Sequence, residues 1–299
     1  MNTHIILVAG GSGFIGSHII NTYKHMYTFR ILTRSKQSTI HDCDAFHWNP
    51  EKGTYDEAAF KDVTTIINLN GENISTKRWS RSQKKKILSS RTTPLLTLYN
   101  ACKRNESSVK QLISSSAIGF YGSAFSNNVY NEDSHQGDDF LASVCVQWEE
   151  HAKRFQELHI NTTIIRTGVV FDANTGAFPQ MIKTLPLSFV VVPGNGKQYV
   201  PWIHISDLAA LYMYTIQKNL HGTFNAVAQT NTQYIDIVCS VKKITGCIAF
   251  HIPQIILRIL LGEMSVIISK GNKISNKKIK SHGFSFTYSN LHTTLELLM

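Results

Sequence analysis

Residues 4–16 read HIILVAGGSGFIG, and this stretch decides the fold. A strand-like apolar run over Ile5–Ala9 breaks into glycines, and a helical apolar pattern follows. Gly10 permits a sharp turn, Gly13 lets the backbone approach a pyrophosphate, and Gly16 lets helix and strand pack closely. Because this glycine loop joins a strand to a helix, it predicts dinucleotide binding and not merely a structural turn.

The helix that follows the glycines would point its free backbone amides at the phosphates of a dinucleotide. We therefore expect cofactor contacts from Gly10, Gly11, Ser12, Gly13, Phe14, Ile15 and Gly16. A second set follows the fourth predicted strand, at the carboxyl edge of the sheet where ligands bind. Its members are Asn70, Gly71 and Glu72.

Strand-like runs alternate with helix-like runs, which indicates βαβ units and a parallel sheet. The predicted strands cover Ile5–Ala9, Phe29–Thr33, Ala45–Trp48, Thr65–Leu69, Gln111–Ser115, Thr163–Arg166 and Thr223–Ala226. The predicted helices cover Ile15–His25, Gln83–Cys102, Leu141–Leu158 and Ser206–Gln217. The fold class is therefore α/β, a Rossmann-type doubly wound parallel sheet with a small, mostly helical C-terminal lobe.

The same alternation suggests how the chain divides into domains. We expect a dinucleotide-binding domain over residues 1–166, with its sheet completed by residues 204–226. Residues 167–203 are interrupted by prolines and glycines and leave this pattern. They would join residues 227–299 in a lobe on the substrate side.

Composition narrows the class of protein further. Hydrophobic residues make up 42% and charged residues 17% of the 299 residues, which is typical of a globular protein with a full core. Five scattered cysteines without metal-type spacing predict reduced thiols, no metal site and a cytoplasmic location. No apolar run has the length of a membrane span. The net charge of +10 comes without an aromatic-interleaved basic patch, so we expect a solvated basic surface and no nucleic-acid partner.

The end of the second predicted strand selects the cofactor. NAD sites place an acidic residue there, whereas an arginine nearby accommodates the extra phosphate of NADP. The chain reads Thr33-Arg34-Ser35 at this point and has no carboxylate. A guanidinium can bind a phosphate through two parallel hydrogen bonds. We predict an NADP(H) site contacted by Thr33 and Arg34, with NAD as the less favoured alternative.

Several further stretches complete a family pattern. They are INLNGENISTKRWS (67–80), KKKILSSRTTPLL (84–96), ISSSAIGFYG (113–122), FLASVCVQWEEHA (140–152), RTGVVF (166–171), PWIHISDLAAL (201–211), ILRILLGEMS (256–265) and GFSF (283–286). In this order they resemble the YfcH-type epimerase family, a branch of the extended short-chain dehydrogenase/reductases. The last two resemble its DUF1731-like C-terminal segment. The resemblance implies a Rossmann-type domain with a small substrate lobe.

The wider superfamily uses a serine, a tyrosine and a lysine, and the lysine lowers the pKa of the tyrosine. By this resemblance Ser116, just past the fifth predicted strand, and Tyr121, in the following turn, are the candidate catalytic residues. The family's tyrosine and lysine positions fall near Cys145 and Glu149. A cysteine beside a carboxylate predicts a protonated thiol or a small buried residue. Glu149 would accept hydrogen bonds from the cofactor ribose or lie on a solvated helix face.

Two classes of function stay open on the sequence. The first is an NADP(H)-binding oxidoreductase or epimerase-like enzyme, a monomer or homodimer, acting on a small carbonyl or alcohol compound. The second is a non-catalytic NADPH-binding sensor or regulatory protein. The polar residues at the sheet edge favour the first class, and the missing tyrosine–lysine pair favours the second.

Overall fold

Seven parallel strands form the centre of the protein, in a computed structural model that describes residues 4–104, 108–123, 128–228 and 231–299. They are β1 (Ile5–Ala9), β2 (Thr28–Thr33), β3 (Cys43–Asn49), β4 (Val63–Asn68), β5 (Gln111–Ala117), β6 (Asn161–Thr167) and β7 (Gly222–Ala226). Their order is β7-β6-β5-β4-β1-β2-β3, and every neighbouring pair is parallel. The winding therefore reverses between β1 and β4, where α/β sheets bind ligands. The predicted Rossmann-type fold is confirmed.

Four helices cover the two faces of this sheet, namely α1 (Phe14–Tyr23), α2 (Arg81–Arg104), α3 (Phe140–Lys153) and α4 (Ile205–Gln217). Successive residues of a strand point to opposite faces, so β1 contributes to two cores. Ile5 and Leu7 pack in the core formed with α2 and α3. Ile6 and Val8 pack in the core formed with α1 and α4. Burial on both faces explains why β1 is continuously apolar.

All seven predicted strands occur, and their ends shift by at most two residues. One shift matters for the site, because β5 continues through Ala117 and Ser116 therefore lies inside the strand, not beyond it. The third predicted helix is also shorter than expected. It ends at Lys153 and continues only as a 3₁₀ turn over Arg154–Leu158.

The remaining elements lie mainly in the C-terminal part of the chain. The longer helices there are α5 (Tyr234–Thr245), α6 (Gln254–Leu261) and α7 (Leu291–Leu298). Shorter helices cover Ala177–Met181, Val266–Ser269 and Lys277–Ser281. Parallel strand pairs that the sequence did not predict join Val169–Phe171 to Trp202–His204, Phe189–Pro193 to Ile248–Ile252, and Lys273–Ile274 to Val129–Tyr130. Short strands at Thr39–Ile40 and Thr54–Tyr55 run antiparallel to β3.

A third core holds these C-terminal elements together. Phe171 stacks on Trp202 with ring centroids 5.3 Å apart, and both side chains are fully buried. Ile237 of α5 and Leu295 of α7 pack in the same core. It thus combines segments on either side of α4 and β7. The domain boundaries expected from the sequence stay a prediction.

Candidate functional site

The steric environment differs at each of the three spaced glycines of the loop. Gly10 has a φ of +89°, and a Cβ there would lie 2.9 Å from the backbone carbon of Leu69. A Cβ on Gly16 would lie 2.5 Å from the carbonyl oxygen of Gly10, which real Cβ atoms do not tolerate. Gly13 differs, because its φ is −80° and a Cβ would meet only the Gly10 oxygen, at 3.2 Å. A side chain at Gly13 would therefore fit the fold and fill the space above the loop.

The first turn of α1 offers backbone amides to a ligand. Gly13 is the N-cap residue and supplies no side-chain acceptor, and no acidic residue lies in the first turn. Ser12 is exposed, whereas Phe14 and Ile15 are half-buried. Gly11 is buried, and a Cβ there would lie 3.0 Å from a side-chain carbon of α1. This open helix N-terminus fits the pyrophosphate of a dinucleotide.

The end of β2 carries a free cation. Thr33 is buried, and its hydroxyl accepts a hydrogen bond from the Ser35 amide at 3.0 Å. Arg34 is exposed and forms no ion pair with any residue that the structure describes. Its guanidinium is therefore free to meet a phosphate beside the adenosine ribose.

The loop after β4 lies against the glycine loop. A Cβ on Gly10 would be 3.2 Å from the Asn70 amide nitrogen, so the two backbones are adjacent. The Asn70 side chain donates to the side-chain oxygen of Asn68 at 2.9 Å, and Asn68 donates to the Ser114 hydroxyl at 3.2 Å. The Glu72 amide is held at 2.8 Å by a serine hydroxyl of α2. Polar groups of β4, of β5 and of the loop after β4 thus meet at this carboxyl edge.

A buried ion pair lies at the centre of the predicted catalytic region. Ser116 of β5 and Arg166 of β6 are register partners, so their side chains share the face covered by α3. Arg166 donates from Nε to Oε1 of Glu149 at 2.8 Å and from Nη2 to Oε2 at 2.9 Å. The Ser116 hydroxyl donates to Oε1 at 2.7 Å. The two charged side chains are only 3% and 1% exposed.

This fork geometry favours the charged form of the arginine. Burial alone would lower the pKa of Arg166, but the hydrogen bonds and the charge of Glu149 outweigh burial and raise it. The two side chains therefore form a charged pair removed from solvent. Such a pair is retained only when its hydrogen bonds are well satisfied, as they are here.

Tyr121 extends the same network toward β7. Its hydroxyl donates to the side-chain oxygen of Asn225 at 2.7 Å and accepts from Nη1 of Arg166 at 2.9 Å. Burial raises the pKa of Tyr121 to about 12, although Arg166 and Asn225 act in the opposite direction. The phenol therefore holds its proton at neutral pH.

Cys145, near the family's tyrosine position, is a buried thiol on α3. Burial raises its pKa to about 12, and the negative charge of Glu149 contributes in the same direction. A Cβ on Gly119 would lie 3.6 Å from its sulfur, so the thiol packs against the turn that leads to Tyr121. A thiol in this environment is protonated and a poor nucleophile.

We expect Cys145 to resist alkylation in the native protein at pH 8, because both burial and charge disfavour its thiolate. Cys239 is exposed and serves as the internal control that reacts first. Peptide mapping after a short iodoacetamide pulse identifies the labelled thiols. Labelling of Cys145 as fast as that of Cys239 would contradict this assignment.

The structure brings Ser116, Tyr121 and Glu149 together through Arg166, for which the sequence left two alternatives, a side chain pointing at the cleft or one paired with a carboxylate, and the pairing is observed. Both carboxylate oxygens of Glu149 bind Arg166 and one also binds Ser116, so its contact with a cofactor ribose stays a prediction. Glu149 does not lie on a solvated helix face. The sequence did contain a signal for Arg166, because it is a charged residue that ends an otherwise apolar strand beside the Ser116 strand.

The parallel sheet, the glycine loop and the open N-terminus of α1 define a dinucleotide-binding protein of the Rossmann type. The chain belongs to the NAD dependent epimerase/dehydratase family, whose model matches residues 6–226. A domain of unknown function, DUF1731, matches residues 252–298.

Curated relatives of this chain match it over nearly its whole length. Epimerase family protein YfhF of Bacillus subtilis is 30% identical over 304 residues, covering 98% of this chain and 97% of its own. Epimerase family protein SH2119 of Staphylococcus haemolyticus is 30% identical over 299 residues, covering 98% of each. These relatives place the chain in the family, and their names carry no substrate.

Solved structures share the fold at lower sequence identity. Human epimerase family protein SDR39U1, crystallised with NADPH, has a TM-score of 0.87 at 24% identity and covers 98% of each chain. UDP-glucuronic acid 4-epimerase from Bacillus cereus, in complex with UDP-glucuronic acid and NAD, has a TM-score of 0.79 at 18% identity, covering 98% of this chain and 96% of its own. Both likenesses establish the fold alone.

Three other features of the described ranges bear on the class of site. No helix there is both long enough and apolar enough to cross a bilayer. No three histidine, cysteine or carboxylate side chains of those residues converge as metal ligands would. None of the five cysteines forms a disulfide, and four of them are buried.

Proposed function

We propose that the protein binds NADP(H) and acts as an oxidoreductase or epimerase-like enzyme on a small carbonyl or alcohol compound. The observation that carries this proposal is the open glycine loop together with Arg34 at the end of β2, which forms no ion pair among the described residues and has no carboxylate next to it in the sequence. The human relative crystallised with NADPH supports the choice of cofactor, whereas the Bacillus cereus epimerase contains NAD. When bound, the nicotinamide would supply the hydride chemistry.

Arg166 and Tyr121 offer a substitute for the lysine–tyrosine pair of the superfamily. The cation comes from β6 instead of α3, and its Nη1 lies 2.9 Å from the phenol oxygen. At neutral pH the phenol is a proton donor, since its pKa is raised to about 12. To protonate a substrate oxygen, the hydroxyl must turn away from Asn225. Arg166 would then stabilise the phenolate, and water would return the proton.

Replacing Arg34 tests the cofactor choice. We expect Arg34→Ala to weaken NADPH binding by about 1.5–3 kcal/mol, the range for a hydrogen bond to a charged group, and to leave NADH binding nearly unchanged. Isothermal titration calorimetry with both cofactors measures this difference. Lys36→Ala removes a neighbouring exposed charge and serves as the control. Equal losses for the two cofactors would refute a contact with the 2′-phosphate.

Kinetics test the catalytic roles once a substrate is known from a screen of carbonyl compounds for NADPH oxidation. We expect Tyr121→Phe and Ser116→Ala to lower kcat by about 10²-fold, as for a lost acid–base group. Cys145→Ala should change kcat by no more than a few-fold, because its thiol is protonated and buried. Loss of turnover in Cys145→Ala, with the Ser116 and Tyr121 variants still active, would require a thiol mechanism instead.

A second function, NADPH sensing without catalysis, has one specific observation in its favour. The hydroxyls of Ser116 and Tyr121 both donate their protons into the protein, to Glu149 and Asn225, and not toward a ligand. The same substrate screen discriminates the two functions. Tight NADPH binding without turnover of any carbonyl compound would favour the sensor.

A further inference from the structure

A second arginine, Arg91, reaches the ligand edge of the sheet from α2. Arg91 is half-buried, and a Cβ on Gly71 would lie 3.1 Å from its Cζ and 3.2 Å from its Nη2. Gly71 follows β4 in the loop that adjoins the glycine loop. The guanidinium also lies 5.0 Å from the ring centroid of Trp148 on α3. Arg91 is thus held between α3 and the β4 loop.

One side of the Arg91 guanidinium forms hydrogen bonds with the residues that the structure describes. Its Nη1 donates to the carbonyl oxygen of Ile87 at 2.9 Å and approaches the Ser90 hydroxyl at 3.4 Å. Among the described residues, neither Nε nor Nη2 has a hydrogen-bond partner, and these atoms are not sealed from solvent. The nearby carboxylate of Glu72 instead pairs with Lys86, at 3.1 Å.

Comparison with Arg166 shows which kind of group the Nε–Nη2 edge of Arg91 matches. Arg166 uses the same two atoms, Nε and Nη2, to bind both oxygens of Glu149. Arg91 presents an equivalent donor fork, but no carboxylate of the described chain occupies it. A planar guanidinium edge of this kind matches a carboxylate or phosphate through two parallel hydrogen bonds.

No carboxylate among the described residues forms an ion pair with Arg91. Burial lowers the pKa of Arg91, while Cys145 and Glu72 act against that shift. Cys145 is no counter-ion, since burial keeps its thiol protonated. An arginine remains charged in proteins, so burial without an anion costs free energy that an anionic ligand would offset.

We infer that the Nε–Nη2 edge of Arg91 binds an anionic group of the substrate, a carboxylate or a phosphate. The guanidinium lies 5.0 Å from the ring centroid of Trp148, the residue that precedes Glu149 of the buried network on α3. The substrate class is then an anionic carbonyl or alcohol compound, such as an oxo acid or a sugar phosphate. This inference rests on the proposed function, because it names the substrate of the same site.

Calorimetry on the NADPH-saturated protein tests the inference directly. The probes are inorganic phosphate, pyruvate and 3-phosphoglycerate, with acetone and glycerol as uncharged controls. We expect at least one anion to bind, and we expect Arg91→Gln to weaken that binding by about 10- to 100-fold, the equivalent of losing a charged hydrogen bond. Arg91→Lys keeps the charge but loses the fork, so its affinity for the anion should lie between those of the wild-type protein and Arg91→Gln.

Arg78→Gln is the matched control, since Arg78 is an exposed arginine that donates to the Ile259 carbonyl oxygen at 3.3 Å. It should leave anion binding unchanged. NADPH affinity, measured on the same variants, separates the two sources of an anion. Unchanged NADPH affinity in Arg91→Gln supports a substrate group, whereas a fall in NADPH affinity without a change in probe binding assigns the edge to the cofactor and overturns the inference.

Two other outcomes would also overturn it. One is that no anion binds the wild-type protein, and the other is that the anions bind Arg91→Gln with wild-type affinity. Circular dichroism and thermal unfolding verify that each variant is folded, and Arg91→Lys carries the test if Arg91→Gln is not. Failure of the proposed function would be seen separately, as absence of NADPH binding to the wild-type protein.

Discussion

Gly13→Val is expected to abolish NADPH binding while the protein stays folded. The backbone at Gly13 is extended, with φ −80° and ψ 173°, which valine adopts readily, and its Cβ requires the Gly10 carbonyl oxygen, 3.2 Å away, to shift only slightly. Its side chain would then occupy the space above the N-terminus of α1, where the pyrophosphate is expected. Calorimetry with NADPH measures the binding, and thermal unfolding measures the fold. Valine is a poor N-cap residue, so we expect the free energy of unfolding to fall by about 1 kcal/mol.

Gly16→Val is the matched control within the same loop. Its Cβ would lie 2.5 Å from the Gly10 oxygen and 2.7 Å from the Gly11 Cα, so the strand and helix must separate. We expect this variant to lose stability together with binding. A Gly13→Val protein that binds NADPH with wild-type affinity would refute the assignment of the loop, whatever the behaviour of Gly16→Val.

The glycine loop could be predicted from sequence because its causes are local. The φ of Gly10 and the close approach at Gly16 are imposed within about ten residues of chain, and the apolar run of β1 marks the strand before them. The parallel direction of the strands followed from the same alternation of strands and helices. These parts of the fold need no knowledge of distant contacts, whereas the close approach of Gly10 to the Leu69 backbone depends on one.

The buried network could not be predicted in the same way. Ser116, Glu149 and Arg166 are brought together by the register of β5 against β6 and by α3 above them. The sequence indicated candidate positions, but for Glu149 it left two alternatives open, a hydrogen bond to the cofactor ribose and a place on a solvated helix face. Only the packed structure shows that its charge is used by Arg166.

The C-terminal strand pairs were missed for a related reason. Phe189–Pro193 pairs with Ile248–Ile252, and the intervening chain includes α4, β7 and α5. The partner strand has exposed apolar residues, among them Phe250, and no clear alternation that would mark it as a strand. Pairing of distant segments depends on tertiary packing more than on local propensity.

Arg166→Met is expected to destabilise the protein by about 3–5 kcal/mol, because it leaves the buried Glu149 carboxylate without its counter-ion. The Ser116 hydroxyl would remain as a partner of that carboxylate. Glu149→Met leaves Arg166 unpaired and should cost a similar amount. Urea unfolding of the cofactor-free protein measures both losses. Lys24→Met, which breaks the exposed pair with Asp42, should change stability little.

The double variant Glu149→Met, Arg166→Met shows whether the ion pair is retained for folding stability or for the proton chemistry of Tyr121. With no charge left unpaired, it should be more stable than either single variant, since apolar replacements of a buried pair are often tolerated. A double variant as unstable as the sum of the singles would contradict this account. If Arg166 also serves Tyr121, the recovered stability will not be accompanied by recovered turnover. The pair would then be kept for the proton chemistry of Tyr121, and its contribution to folding would be secondary.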